Sequence, residues 1–136
     1  MQAYDLRSLP TVNRDMDLIR EILILINDDP KYDGTTEFYF ATPEDFGIQN
    51  HSREEVAYHL ALLIQSGYID GAVTMAVPMQ TIRALTMQGH DFLGSIRDLG
   101  IWNKTKERLS GLPGIALSVV AQIGLAEAKK HLGLSQ

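Results

Sequence analysis

The segment SREEVAYHLALLIQSGYIDGAVTMAVPMQTIRALT, residues 52–86, predicts a helix followed by a β-hairpin. Ser52, followed three residues later by Glu55, is a capping-box pattern, in which each side chain accepts a hydrogen bond from the other residue's backbone N–H. Apolar residues then recur at helical spacing, at Val56, Leu60, Leu63 and Ile64. Gly67 is placed to end this helix, because glycine readily adopts the left-handed conformation found after many helices.

The rest of the segment predicts two strands and the start of another helix. The runs YIDGAVTMAV and MQTIRALT lie on either side of Pro78, a pattern typical of two antiparallel strands. Thr86 follows the second run and is predicted to cap a helix. Gly89 falls in its first turn, where the lack of a side chain would let the helix approach a neighbouring strand closely. The apolar positions predicted to face the core are Phe92, Leu93 and Ile96.

The sequence before this segment predicts a long helix, a short strand and one turn of helix. NRDMDLIREILILIND begins at Asn13, a predicted cap, and keeps an apolar stripe through its length. TTEFYFA, residues 35–41, alternates and predicts a strand with Phe38 and Phe40 facing the core. TPEDFGIQNH has room for about one helical turn. Residues 1–12 show no period and are predicted to be a tail.

The sequence after the segment predicts two further helices. IWNKTKERL, residues 101–109, predicts a short helix anchored by Trp102, and SGLPG breaks the chain. GIALSVVAQIGLAEAKKHLGL, residues 114–134, predicts a C-terminal helix. Its first half is apolar almost all round, which indicates burial within its own fold or against a second copy. A homodimer through this helix is therefore expected.

These elements predict a mostly helical α+β fold with the order of a winged helix-turn-helix-like domain and additional C-terminal helices. We expect one structural unit, with the tail at residues 1–12, the winged-helix-like domain at 13–109 and the C-terminal helix at 110–136. VAYHLALLIQSGYI resembles the recognition helix of winged-helix domains running into the first wing strand. LTMQG resembles the LTxxG pattern that closes the second wing strand in many of them.

Four motifs together resemble an uncharacterised family of bacterial and phage proteins of unknown function. They are RDMDLIREIL, EEVAYHLALLIQSGYI, LTMQGHDFLGSIRD and IWNK, and the resemblance runs from about residue 14 to residue 109. The resemblance implies the fold and a phage or prophage setting, and it implies no catalytic residues.

Composition limits the functions that the chain can have. The 136 residues match one domain, and their net charge of −5 gives no general attraction to nucleic acid or to anionic lipid. The absence of cysteine excludes disulfides and thiolate chemistry, and it fits a cytoplasmic protein. No apolar run approaches the ~20 residues that span a bilayer, so no membrane contact is expected.

The candidate contact residues for DNA or for a protein partner are Arg53, Tyr58, His59, Gln65 and Arg83. The first four are predicted on the outward face of the 52–66 helix, and Arg83 on the hairpin. Polar and aromatic side chains on such a helix can contact bases. However, Glu54 and Glu55 share the face and repel phosphates, and a DNA-reading helix is normally braced by a full preceding helix. Two hypotheses therefore remain, a DNA-binding regulator and a protein-interaction module that modulates a host complex.

Other candidate sites are weaker. Lys104, Lys106 and Arg108 form a basic run that is usually a solvated helix surface. The four histidines show no metal-binding spacing, and no metal or cofactor is expected. His90 and Asp91 are neighbours on a predicted helix, so their side chains point ~100° apart and are not expected to form a catalytic dyad. We expect no enzymatic activity.

Overall fold

The structure, a computed structural model, describes residues 14–74, 79–112 and 114–134. Its elements are α1 (Met16–Asp28), β1 (Phe38–Tyr39), α2 (Pro43–Phe46), α3 (Arg53–Gln65), β2 (Ile69–Thr74), β3 (Met79–Leu85), α4 (Met87–Ile96), α5 (Leu99–Leu109) and α6 (Leu117–His131). The mostly helical α+β class is confirmed, and the order of elements is winged-helix-like as predicted. The tail predicted at residues 1–12 lies outside the described residues, and the division at residue 109 stays a prediction.

The three strands form one antiparallel sheet in the order β1-β3-β2. Asp70 pairs with Ala84 and Gly71 with Ile82, so Arg83 has no partner opposite it and β3 contains a bulge. The bulge lets both Ile82 and Leu85 face the core, with 1% and 6% of their surfaces exposed, although strict alternation would place residues three apart on opposite faces. The hairpin is confirmed, and its predicted turn at Pro78 lies outside the described residues.

The predicted helix starts are mostly confirmed, because they depend on short-range hydrogen bonds. Ser52 and Glu55 form the complete capping box of α3. The hydroxyl of Thr86 accepts from the Gly89 N–H at 3.0 Å and caps α4. Thr42 caps α2, which is a single turn of four residues as the sequence predicted.

Four predicted boundaries are wrong. The C-terminal helix, predicted at residues 114–134, is shorter and runs from Leu117 to His131. Asp15, whose carboxylate accepts from the N–H groups of Asp17 and Leu18, caps α1; the predicted cap Asn13 lies outside the described residues. The strand predicted at residues 35–41 is only two residues long, since only Phe38 and Tyr39 pair in register with β3, at Ile82 and Thr81. The helix predicted at 101–109 begins two residues earlier, at Leu99, because the Asp98 carboxylate accepts from the Ile101 N–H.

The core lies between the sheet and α1, α3 and α4. Helix α1 supplies five residues that are at most 1% exposed, namely Leu18, Ile19, Ile22, Leu23 and Ile26. The predicted inward residues of α4, Phe92, Leu93 and Ile96, are buried as well. Helices α5 and α6 pack onto the far side of α4, which leaves one side of α3 and the hairpin without a described element over it.

Candidate functional site

The outward face of α3 is an exposed stripe that runs the length of the helix. Glu54, Tyr58 and Gln65 are exposed, and Ala61 between them is half-buried. Their spacing of four, three and four residues places them on one face. Tyr58 keeps 42% of its surface exposed. The stripe therefore offers one carboxylate, one phenol and one amide to a partner, and no positive charge along its centre.

Arg53 lies at the first position of α3 and turns towards β1. Its Nε donates to the Ala41 carbonyl oxygen at 3.0 Å, and its guanidinium carbon lies 5.8 Å from the centroid of the Phe40 ring. These contacts orient the side chain and leave four other guanidinium N–H groups to contact an anion. Phe40 and Ala41 were not predicted as part of the site, because only the folded chain brings β1 to the start of α3.

His59 was predicted on the outward face of α3, and this prediction is wrong. Its side chain is 0% exposed and joins α3 to the start of α1. Nε2 accepts from the Asp15 N–H at 2.7 Å, so Nδ1 carries the proton and donates to the Glu55 carbonyl oxygen, also at 2.7 Å. A neutral histidine with both nitrogens used in this way has a structural role, and it is unable to contact DNA or a partner.

The burial of His59 could have been found from the sequence. It lies three residues after Val56 and four before Leu63, which places it in the middle of the apolar stripe. Ile64, predicted to face inward, lies at the margin of the stripe and is only half-buried.

Burial lowers the pKa of His59 below its ordinary 6.5, although the hydrogen bond to Glu55 and the carboxylates of Asp15 and Glu55 oppose this shift and His51 adds to it. Because the unfolded chain then binds the proton more tightly, the free energy of unfolding should be fully retained above pH 6.5 and should fall as the pH drops from 6.5 towards the folded-state pKa. His59→Gln should flatten this slope in urea titrations between pH 5 and pH 7. Equal slopes for the two proteins would contradict the assignment.

Asp17, Asp28 and Glu55 titrate below the pH range of that measurement. The pKa values of Asp17, Asp28 and Glu55 lie below their ordinary values of 3.8 and 4.5. Partial burial raises the pKa of Asp17, but its hydrogen bonds from Lys106 and Trp102 lower it by more. Asp28 and Glu55 accept hydrogen bonds from neighbouring residues, which lower their pKa values. Their contribution to stability is therefore lost only at lower pH.

Arg83 lies away from the start of α3. It lies at the bulge of β3, where its carbonyl oxygen accepts from the Gly34 N–H at 3.1 Å. The residue of β3 beside Phe40, and so near the start of α3, is Gln80. Arg83 lies three residues further along β3, which is a separation of roughly 10 Å from Gln80. The structure therefore groups Tyr58 with Gln65 on one stripe, holds Arg53 at its end, and leaves Arg83 on the sheet.

The basic run on α5 is largely neutralised by ion pairs. Lys106 Nζ lies 2.9 Å from an Asp17 carboxylate oxygen, and Arg108 lies 3.2 Å from the nearly buried Glu127. Lys104 is exposed. Within the described ranges, no group of three or more acidic or histidine side chains could hold a metal ion.

A groove of about 660 Å³ lies between α4 and α6 and was not predicted. Phe92, Ala121 and Leu125 contribute apolar surface to it, and the exposed His90 and Asp91 line its α4 side. No hydrogen bond joins His90 to Asp91 in the part of the chain that the structure describes. The sequence signal for this groove is the long uncharged first half of α6.

The fold and this surface define a small, mostly helical α+β domain with a winged-helix-like arrangement, whose α3 lies open beside a β-hairpin. The chain belongs to the DUF2513 family, described as hypothetical proteins, whose model matches residues 13–116. It is 28% identical over 115 residues to an uncharacterized protein of Haemophilus influenzae, a match that covers 82% of this chain and 92% of the relative. No solved structure matches the chain. None of the described helices has the length and apolar character needed to cross a bilayer.

Proposed function

We propose that the protein is a DNA-binding transcription regulator of bacterial or phage origin, which contacts double-stranded DNA through α3 and the β2–β3 hairpin. The observation that carries the proposal is the open polar stripe of α3, on which Tyr58 and Gln65 face solvent beside the hairpin. A helix presented in this way fits the major groove, where glutamine can pair with adenine.

The proposed contacts divide into positioning and reading. Arg53 and Arg83 neutralise phosphates and fix the orientation of the protein, while Tyr58 and Gln65 meet base edges. Glu54 opposes binding because its carboxylate lies on the same stripe. Two phosphate contacts per chain give about four per dimer, so the logarithm of the affinity should fall with the logarithm of the salt concentration with a slope of roughly −4.

The test is binding of varied duplexes at several salt concentrations. Arg53→Ala and Arg83→Ala should each weaken binding to all sequences and reduce the slope by about two per dimer, since each removes one phosphate contact from both chains. Lys104→Ala, which removes the same charge from exposed α5, is the control and should leave the slope unchanged. No binding to any duplex at low salt would reject the proposal.

The second candidate is a non-enzymatic protein-interaction module, such as a phage-encoded modulator of a host complex. Two observations favour this candidate. Glu54 is exposed and His59 is buried, so the stripe of α3 offers no positive charge to DNA. Helix α2 is a single turn and does not supply the full bracing helix that DNA contact would use.

Glu54→Lys separates the two candidates. On DNA the substitution removes a repulsion and adds a phosphate contact, so binding should tighten. On a protein partner that recognises the carboxylate, binding should weaken. A host-lysate pull-down that returns no partner dependent on Tyr58 would count against the module.

DNA binding also bears on the cofactor, the location and the oligomeric state of the protein. The protein needs no cofactor and acts in the cytoplasm, where it meets DNA. It acts as a homodimer through α6, because a two-fold dimer presents two copies of α3 to two half-sites.

A further inference from the structure

We infer that two copies of the chain pair through an antiparallel contact between their α6 helices, with Leu125 near the two-fold axis. This inference rests on the homodimer of the proposed function, and it specifies the surface, the direction and the central residue of the contact.

Helix α6 carries two parallel rows of residues. The first row is buried within the chain and consists of Leu117, Val120, Gly124 and Glu127. The second row, which we call the outer seam, is shifted by one residue towards the C-terminus. It consists of Ser118, Ala121, Leu125, Ala128 and Leu132, the last being the C-cap of α6. Its alternating spacing of three and four residues is that of a coiled-coil seam.

The outer seam is unusually exposed for its composition. Leu125 is 47% exposed and Leu132 is 70% exposed, while the two alanines are half-buried. The whole seam lines the groove between α4 and α6. One surface therefore provides both projecting leucines and a hollow beside small side chains, which is what a self-complementary contact requires.

The order of side-chain sizes along the seam favours an antiparallel pair. With Leu125 at the axis, Leu132 of one copy faces Ser118 of the other, and Ala128 faces the turn that contains Ala121. A large side chain thus meets a small one at both ends. In a parallel pair, the two small Ser118 side chains would face each other and leave a gap, which loses packing contacts.

Charge favours the same direction. No charged residue occurs between Gly114 and Ala126, whereas Lys129, Lys130 and His131 lie in the last turn of α6. A parallel pair would place Lys129 and Lys130 of one copy beside the same residues of the other, and neighbouring like charges repel. An antiparallel pair places each basic turn beside the uncharged first half of the partner's helix.

The extent of the seam sets the expected strength of the contact. The 15 residues of α6 make a helix of about 22 Å. The outer seam has five residues, far fewer than the roughly 20–30 residues a side of a standard stable interface. We therefore expect a dimer that dissociates on dilution and is visible as a concentration-dependent mass.

Single-cysteine variants test the direction directly, because the chain has no cysteine of its own. After mild oxidation, full-length Leu125→Cys should form a disulfide-linked dimer, since the two residues meet at the axis. A mixture of Ser118→Cys and size-tagged Leu132→Cys should form the mixed dimer in preference to either self-linked dimer. Leu99→Cys, an equally exposed leucine at the start of α5, is the control and should remain unlinked.

Leu125→Glu places two carboxylates at the axis and should give a monomer in sedimentation experiments, while Leu99→Glu should behave as the unchanged protein. A wild-type protein that is monomeric at hundreds of micromolar, or cross-linking of Leu132→Cys to itself in preference to the mixed pair, would overturn the inference. A dimer linked as expected that binds no duplex would support the inference and reject only the DNA-binding function.

Discussion

Gly89→Ala is expected to lower the free energy of unfolding by about 3 kcal/mol or more, the upper end of the range for overpacked sites. A Cβ atom at this position would lie 2.0 Å from the Tyr68 carbonyl oxygen, and the nearest atoms belong to the backbone rather than to a flexible side chain. The same oxygen accepts from the Thr86 N–H at 3.2 Å. The added methyl group therefore forces α4 away from the start of the hairpin, which disturbs both the cap of α4 and the end of β3.

Gly94→Ala is the matched control, since it lies in the same helix and a Cβ there meets no atom within 4 Å. It should raise stability by about 0.5–1 kcal/mol, because alanine loses less conformational freedom than glycine in a helix. Urea unfolding followed by circular dichroism measures both changes. Equal stabilities for the two variants would show that α4 does not approach Tyr68 as closely as described.

Trp102→Ala is expected to cost about 3–5 kcal/mol, the range for removing a large buried aromatic side chain. The indole is 1% exposed, and its Nε1–H donates to the Asp17 carboxylate at 2.7 Å. Asp17 also pairs with Lys106. Helix α5 is therefore joined to the first turn of α1 by the buried indole of Trp102 and by the ion pair of Lys106. The large cost arises mostly from the cavity, since Asp17 is mostly exposed and can be solvated.

Trp102→Phe separates these two contributions. It keeps most of the buried ring and removes the hydrogen bond, so a loss of about 1–2 kcal/mol is expected, a bond to a charged group being worth slightly more than a neutral one. The unfolding midpoints of both variants in urea provide the comparison. If phenylalanine costs as much as alanine, the hydrogen bond and not the packing holds α5 in place.

The features predicted from the sequence are those whose cause lies within a few residues. The capping box of Ser52 and Glu55, the Thr86 cap and the apolar stripe of α1 each depend on spacings of three or four residues. The same local rules explain why a single turn was predicted for α2. The close approach at Gly89 was also predicted, because a residue without a side chain in the first turn lets a helix approach a neighbouring strand closely.

The features that sequence reasoning missed depend on distant partners. The strand partner of β1 is β3, some forty residues later in the chain, and only Phe38 and Tyr39 pair with it in register. Arg53 contacts Phe40 and Ala41, just after β1, and Arg83 lies at the bulge of β3. Of the five predicted contact residues, Tyr58 and Gln65 share the open stripe, Arg53 and Arg83 lie elsewhere on the surface, and His59 is buried.

By itself, the sequence determined the α+β class, the order of the elements, the helix caps and the hairpin, because hydrogen bonds and apolar periodicity within one element specify them. Only the tertiary structure decided which polar groups are free to act. Helical spacing places His59 within the apolar stripe of α3, but its hydrogen-bond partner, the Asp15 N–H, lies 44 residues earlier and is supplied only by the fold. The outer seam of α6 stays exposed because α4 and α5 cover only the row beside it. Burial is a property of two surfaces, and the sequence of one element specifies only one of them.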